Sequence, residues 1–237
     1  MNLTAVHTEL FKEGADLPAF ILRFVPTMPE NTVLAVCSKV VALWKNNTLP
    51  YKSLAQKEKL IKQHSQAALK TPLAWLTIKD DMIMTNAGID ESNANGKLIL
   101  LPDCYAPASE LRDTLKQKWH VQNLGIVITD SMILPLRAGV VAAAVGYAGF
   151  KGVSDLRGKP DLFGKRLQTT LVDVADSLAT AAALVMGEAD EQCPLCIIKN
   201  APVTFTQTTD RNEIKYPVQN DLYTPLLQAA KLVTKEK

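Results

Sequence analysis

Short β-branched apolar runs alternate along the chain with stretches in which apolar residues recur at helical spacing, and that alternation predicts a mixed α/β (α+β) protein. Asp16 is placed to cap a short helix running through Phe24, with Pro18 in its first turn. Residues 32–41 (TVLAVCSKVV) are apolar and β-branched enough for one buried strand. Residues 53–69 read as a long helix, with Leu54, Leu60, Ile61, His64 and Ala68 on its inner face and Pro72 as its stop. Strands at 75–78 and 82–85 flank a tight Lys79-Asp80-Asp81 corner, and the small polar residues from Thr85 to Asn93 predict a loop. A strand at 98–101 and a helix at 108–118 follow. The run at 124–129 (LGIVIT) is too apolar for a sheet edge and ends directly on Asp130 and Ser131; the ends of buried strands are where α/β proteins collect chemistry. Residues 138–149 are rich enough in Gly and Ala for a close crossing, inside the chain or between copies. Helical spacing returns at 173–186 with Gly187 as the stop, and a strand is expected at 195–199. Beyond Asn200 the composition turns polar and Thr-rich, until Thr224-Pro225 opens a last short helix.

Composition narrows the class. With 237 residues, 47% of them hydrophobic and 21% charged, the chain can bury a core that needs no disulfide or structural metal. A net charge of +2 gives no general affinity for polyanions, which argues against nucleic acid as a partner. No apolar run reaches membrane-spanning length, and the N-terminal segment is acidic where a secretory signal is basic and then apolar. The expected location is therefore cytoplasmic, with no membrane partner and with the four cysteines reduced. Cys193-Pro194-Leu195-Cys196 offers zinc two of four ligands and leads into a strand, whereas a redox motif opens a helix. His7, His64 and His120 are scattered, with His64 read as mid-helical, and no nucleophile motif accompanies them. The nearest approach to a phosphate-cradling loop, Gly158 to Gly164-Lys165-Arg166, has the wrong spacing and an arginine where a metal-binding hydroxyl belongs.

The carboxylates say more. Asp90 lies in the small-residue loop, Asp130 at the end of a buried strand and Glu188 just past a helix stop. Each has oxygen- or amide-bearing neighbours: Ser92 and Asn93, Ser131, and Asp190. Hard divalent cations take such ligands. The same residue types are equally at home as caps and turns, so spacing alone leaves both readings open.

A longer pattern joins them. It comprises Asn86-Ala87-Gly88-Ile89-Asp90-Glu91-Ser92-Asn93, Leu100-Leu101-Pro102, Val127-Ile128-Thr129-Asp130-Ser131 and Arg137 with Gly139. It continues with Asp161-Leu162-Phe163-Gly164, Thr169-Thr170, and Ala175-Asp176-Ser177-Leu178-Ala179 into Met186-Gly187-Glu188-Ala189-Asp190. In these strings, their order and their spacing, over most of residues 6–200, the chain resembles the coenzyme F(420):L-glutamate ligase (γ-glutamyl ligase) family.

The resemblance implies an unusual α/β fold in an intertwined homodimer, with a ligase-like domain at 1–200 and a divergent tail at 201–237. It implies a GTP-dependent enzyme, or one using ATP, that activates an acceptor carboxylate as an acyl phosphate and captures it with the amine of L-glutamate. Two divalent ions, Mg²⁺ or Mn²⁺, are implied: one on Asp90 and Asp130, the other on Ser131 and Glu188. Asp90, Asp130 and Arg137 form the implied catalytic set. Leu10, Ser38, Lys39, Asn93, Met186, Gly187, Ala189 and Asp190 are the implied nucleotide contacts. The N-terminal loops depart from the family: a Gly-x-Pro loop reads His7-Thr8-Glu9-Leu10, and a nucleotide-contacting lysine reads Leu43. Either Lys45 compensates or the nucleotide differs. The acceptor implied first is a deazaflavin acid. Relatives acting in folate synthesis make a pterin acid the alternative, and a non-catalytic nucleotide-binding homologue is a further one, motivated by Leu43.

Overall fold

The computed structural model describes residues 1–233. Strand β1 (Asn2–Val6) leads to helix α1 (Leu17–Phe24), whose cap is Asp16: its Oδ1 accepts from the Ala19 amide at 3.0 Å. Then come β2 (Thr32–Cys37), α2 (Ser38–Trp44), β3 (Thr48–Pro50), α3 (Leu54–Gln63), β4 (Ala67–Lys70), β5 (Trp75–Lys79) and β6 (Met82–Thr85). After these follow β7 (Ile89–Asp90), β8 (Lys97–Leu100), α4 (Tyr105–Trp119), β9 (Leu124–Met132) and β10 (Val141–Ala148). A small hairpin of β11 (Val153–Asp155) and β12 (Leu171–Asp173) precedes α5 (Val174–Met186), β13 (Leu195–Lys199) and α6 (Thr224–Ala229). No helix among the described residues is long and apolar enough to cross a membrane.

A five-stranded sheet in the order β1-β13-β2-β9-β10 forms the centre, and β9 lies inside it as its apolar run requires. Only the β2–β9 pair is parallel within this sheet. Successive side chains of a strand point to opposite faces. Leu34, Val36, Ile126 and Ile128 thus join a core with α1 and α4, while Val33, Ala35 and Val127 join a second core with α5. Two smaller three-stranded sheets, β3-β8-β7 and β4-β5-β6, carry the segment that brings Asp90 in.

The Gly/Ala-rich run at 138–149 serves an internal crossing. Thr180 on α5 donates to the Ala142 carbonyl at 2.6 Å, and Asp176 accepts from the Ala144 amide at 2.8 Å. A Cβ on Gly146 would lie 2.5 Å from the backbone of Cys104, at the start of α4. No larger side chain fits between these elements.

Four expectations are corrected. The strand expected at 32–41 stops at Cys37, where Ser38 opens α2; Val40 and Val41 bury their side chains from a helix instead. The helix expected at 53–69 ends at Gln63, so His64 is its C-cap and not mid-helical. Residues 67–70 pair with β5 as a strand, with Pro72 beyond them, and of the expected inner face Leu54 is exposed while Ile61 is buried. Asp130 and Ser131 lie within β9 rather than past it, because β10 keeps pairing out to Met132.

The tail packs onto this body. Arg112 of α4 donates to the Thr206 carbonyl and to Gln207, and Glu213 accepts from Tyr147 Oη at 2.7 Å. The last four residues of the tail lie outside the described residues.

Candidate active site

The parallel pairing of β2 and β9 sets the site. Cys37 lies opposite Thr129, so the first residue of α2 meets the residue after Thr129. Ser38 Oγ accordingly donates to Asp130 Oδ1 at 2.7 Å. Ligands in open α/β sheets bind outside the carboxyl ends of such strands.

Asp90 arrives from the other side through a specialised turn. Asn86, Ala87 and Gly88 are all left-handed, with φ of 54°, 53° and 67°. Asn86 Oδ1 accepts from the Trp75 amide at 3.0 Å, and Thr77 Oγ1 accepts from the Ala87 amide at 2.9 Å. These bonds hold a conformation that non-glycine residues rarely adopt. β7 then pairs Asp90 with Ile99. Lys39 Nζ lies 2.7 Å from Asp90 Oδ2 and 2.6 Å from Ser92 Oγ, and Ser92 itself donates to Asp90 through both its amide (2.9 Å) and its hydroxyl (2.7 Å).

The electrostatics separate the two aspartates. Burial pushes the Asp130 carboxyl up to about 6, against the Ser38 hydrogen bond and the Lys39 charge, which pull it down. Burial also acts on Asp90, but there the Lys39 and Ser92 hydrogen bonds outweigh it and hold the carboxyl below its ordinary value.

Glu188 enters from the loop after α5. Gly187 ends that helix at φ 83°, and a Cβ there would lie 2.2 Å from the Glu191 carboxyl. The chain turns sharply enough for Ser131 Oγ to donate to Glu188 Oε2 at 2.7 Å, and Asn93 Nδ2 ties the same loop down through the Ala189 carbonyl at 3.0 Å.

A cleft of about 690 Å³ opens at this point. Ten residues chosen from the sequence line it: Leu10, Lys39, Asn93, Asp130, Ser131, Met186, Gly187, Glu188, Ala189 and Asp190. A smaller adjoining hollow of about 180 Å³ is lined by Ser38, Lys39, Asp90, Asp130 and Ser131. Arg137 is not brought in. It lies on the exposed segment between β9 and β10, and its side chain has no hydrogen-bond or ion-pair partner among the described residues. Lys45 is engaged elsewhere, 2.5 Å from Glu110 and over the Trp44 ring, while Leu43 lines the cleft with Phe11 and Val40. Ser92, read from the sequence as an oxygen-bearing neighbour of Asp90, does stand beside it and also accepts from Lys39.

The donor set suits a hard divalent cation: carboxylates and hydroxyls, without thiolate or imidazole. Among the described residues, no three His, Cys, Asp or Glu side chains form one metal-binding group. The carboxylates instead stand in hydrogen-bonded pairs with serines: Asp130 with Ser38, Glu188 with Ser131 and Asp90 with Ser92.

Comparison with known proteins gives a consistent match. The model of the "F420-0:Gamma-glutamyl ligase" family matches residues 5–200. A protein of Methanococcus maripaludis (strain C7) named "Coenzyme F420:L-glutamate ligase" is 40% identical over 138 residues, 58% of this chain and 55% of its own length. A protein of the same name from Methanopyrus kandleri is 44% identical over 124 residues, 52% of this chain and 49% of its own. One from Archaeoglobus fulgidus is 30% identical over 213 residues, 82% of this chain and 85% of its own. The matched stretch thus spans about half the length of the first two relatives.

Proposed function

Because the chain belongs to the F420-0:gamma-glutamyl ligase family, we propose that it is a nucleotide-dependent ligase that joins L-glutamate to a carboxylate-bearing acceptor through an amide bond. The observation that carries this reading is the convergence of Asp90, Asp130 with Ser131, and Glu188, from three separate segments, on a cleft large enough for a nucleotide and the hollow that adjoins it.

In this reading the nucleotide, GTP or ATP, lies in the large cleft. Its base rests against the apolar wall of Leu10, Val40 and Leu43, and its phosphates point toward Lys39. Asp90 and Asp130 would hold one divalent cation, Mg²⁺ or Mn²⁺, and Ser131 and Glu188 a second; bound there, the cations supply charge neutralisation of the phosphate oxygens. Lys39 adds a fixed positive charge, Ser38 orients Asp130, and the 187–190 loop shields the phosphates from water. An oxygen of the acceptor carboxylate attacks the terminal phosphorus, and the nucleoside diphosphate leaves. The amine of glutamate then attacks the acyl carbon, giving up a proton, and inorganic phosphate leaves. Arg137 joins this chemistry only if its segment folds inward or a second copy presents it.

The acceptor read first is a deazaflavin acid, and a pterin acid is the alternative. The test is direct. The purified protein, L-glutamate, Mg²⁺ or Mn²⁺ and either nucleotide are combined with the deazaflavin precursor or with dihydropteroate, and mass spectrometry is used to detect a glutamyl adduct. An adduct on one acid is expected. Absence of any adduct, together with no metal-dependent nucleotide hydrolysis, overturns the reading.

A further inference from the structure

A third cavity, of about 320 Å³, adjoins the carboxylate hollow, with Leu101 lining both. It wraps the free edge of β10, the last strand of the central sheet, where the register slips between Ala144 and Gly146. Bulges of this kind often re-aim backbone beside functional sites. Its opposite walls come from the β5–β6 turn and from the C-terminal segment at 211–221. Met132 also lines it, two residues beyond Asp130 on β9 and therefore on the same face, about 6–7 Å along the strand.

The lining has two characters. Met82, Met84, Met132, Tyr105, Ile214 and Tyr216 give a soft and partly aromatic surface. Thioethers and tyrosines adapt to the faces of flat rings. Asp176 supplies the main inward polar group. One of its oxygens accepts from the Ala144 amide at 2.8 Å, and burial, reinforced by the neighbouring charge of Asp173, pushes its carboxyl up to about 7. At the rim each cation is already matched: Lys79 with Asp80 (2.7 Å), Lys215 with Asp81 (2.8 Å) and Arg211 with Asp103 (3.2 Å). The rim therefore offers no surplus positive charge for a free anion, while the interior suits a flat ring bearing N–H donors.

We propose that this cavity seats the ring system of the acceptor, a planar heteroaromatic acid whose lactam or amidine edge meets Asp176 and whose carboxylate points along β9 toward Asp130. The C-terminal segment, held by Lys215 on Asp81 and by Glu213 on Tyr147, is then the wall that selects the acceptor. This inference rests on the ligase reading for the identity of its ligand, and the two can fail separately.

The test measures binding of pteroic acid and of the deazaflavin precursor to the full chain, with and without nucleotide and Mg²⁺, by ligand fluorescence. Wild type is compared with Tyr216→Ala, an exposed position that leaves the core untouched, and with Met82→Asp. One acid binds wild type, and which of them binds identifies the source. Loss of one aromatic contact in Tyr216→Ala weakens that acid about tenfold. Met82→Asp weakens it further, while nucleotide affinity and the melting temperature of Tyr216→Ala stay at wild-type values. Unchanged affinity in both variants, or no binding of either acid to wild type, overturns the proposal. If the acids bind and the variants weaken them but no glutamyl adduct forms, the cavity stands and the ligase reading falls. If adducts form and the variants leave the acceptor KM unchanged, the ligase reading stands and the cavity falls.

Discussion

Gly88→Ala tests how the turn delivers Asp90. Gly88 has φ +67°, and a Cβ there would lie 2.5 Å from Leu101 Cβ and 2.8 Å from its Cδ2. Leu101 cannot retreat easily: it is buried, and its amide donates to the Gly88 carbonyl at 3.0 Å. The left-handed backbone costs an alanine about 1–2 kcal/mol. Overpacking against a fixed neighbour adds roughly 1–3 kcal/mol. The sum, about 2–5 kcal/mol, lowers the melting temperature by roughly 5–15 °C for a chain of this size. Gly96→Ala is the control, with φ +78° but nothing within 4 Å of the added Cβ, so it bears only the backbone cost. Differential scanning calorimetry of both variants isolates the contact with Leu101. Relief of the clash also shifts Asp90, two residues on, away from Lys39, so metal-dependent nucleotide affinity falls in Gly88→Ala and not in Gly96→Ala. Equal melting temperatures for the two variants, or an unchanged affinity in Gly88→Ala, would refute the argument.

Three further outcomes are expected. Asp130→Asn keeps the acceptor oxygen for Ser38 but loses the charge, so it abolishes adduct formation while circular dichroism stays at wild type and melting at neutral pH does not fall, because burial already opposes that charge; normal turnover would remove Asp130 from the chemistry. The raised carboxyl of Asp176 binds its proton more tightly in the folded than in the unfolded chain, so this group destabilises the fold as pH rises from about 4 through 7. Asp176→Asn should therefore melt higher than wild type at pH 8 and equally at pH 4; the opposite ordering would contradict the burial argument. Leu162 and Phe163, 99% and 94% exposed at the end of the arm between β11 and β12, are expected to bury against a second copy, so Leu162→Ser with Phe163→Ser should shift a dimer toward monomer in sedimentation velocity, and an unshifted boundary would count against that contact.

Local signals were the most legible ones. Asp16 caps its helix through a side-chain bond three residues on, and Gly187 stops α5 with a positive φ; each follows from a few adjacent residues, whereas Asp173, read as the first residue of its helix, is the cap. The division of 32–44 into strand and helix was not legible, because Val40 and Val41 are equally apolar in either state and only the sheet decides where β2 ends. β1 escaped notice because its residues are mostly half-buried or exposed at a sheet edge, which leaves a weak pattern. Asp90, Asp130 and Glu188 stood out as residues, whereas the Ser38–Asp130 bond depends on the parallel register of β2 and β9, which composition does not encode. The third cavity was illegible for the same reason: its walls come from residues 79–84, 101–105, 132, 144–145, 176, 211, 214–216 and 221.

In the proposed ligase, the departure at Leu43 has a physical consequence for how a nucleotide would be held. A lysine at that position would place a charge in the large cleft, but Leu43 continues an apolar wall with Phe11 and Val40. Lys45 does not replace it. To turn toward the cleft it would have to leave Glu110 at 2.5 Å and the face of Trp44, giving up an ion pair and a cation–π contact together. Positive charge among the residues lining the cleft is therefore concentrated in Lys39, which is itself held by Asp90 and Ser92. In the proposed ligase, recognition of the nucleotide is expected to divide along the cleft. The base end would then depend on apolar contact, which discriminates weakly between purines, and the phosphate end on Lys39 and the carboxylate–serine pairs. On that division, use of ATP as well as GTP is the expected consequence, within the proposed ligase reading, of the same substitution that separates this chain from the family pattern, and it requires no loss of Asp90, Asp130 or Glu188.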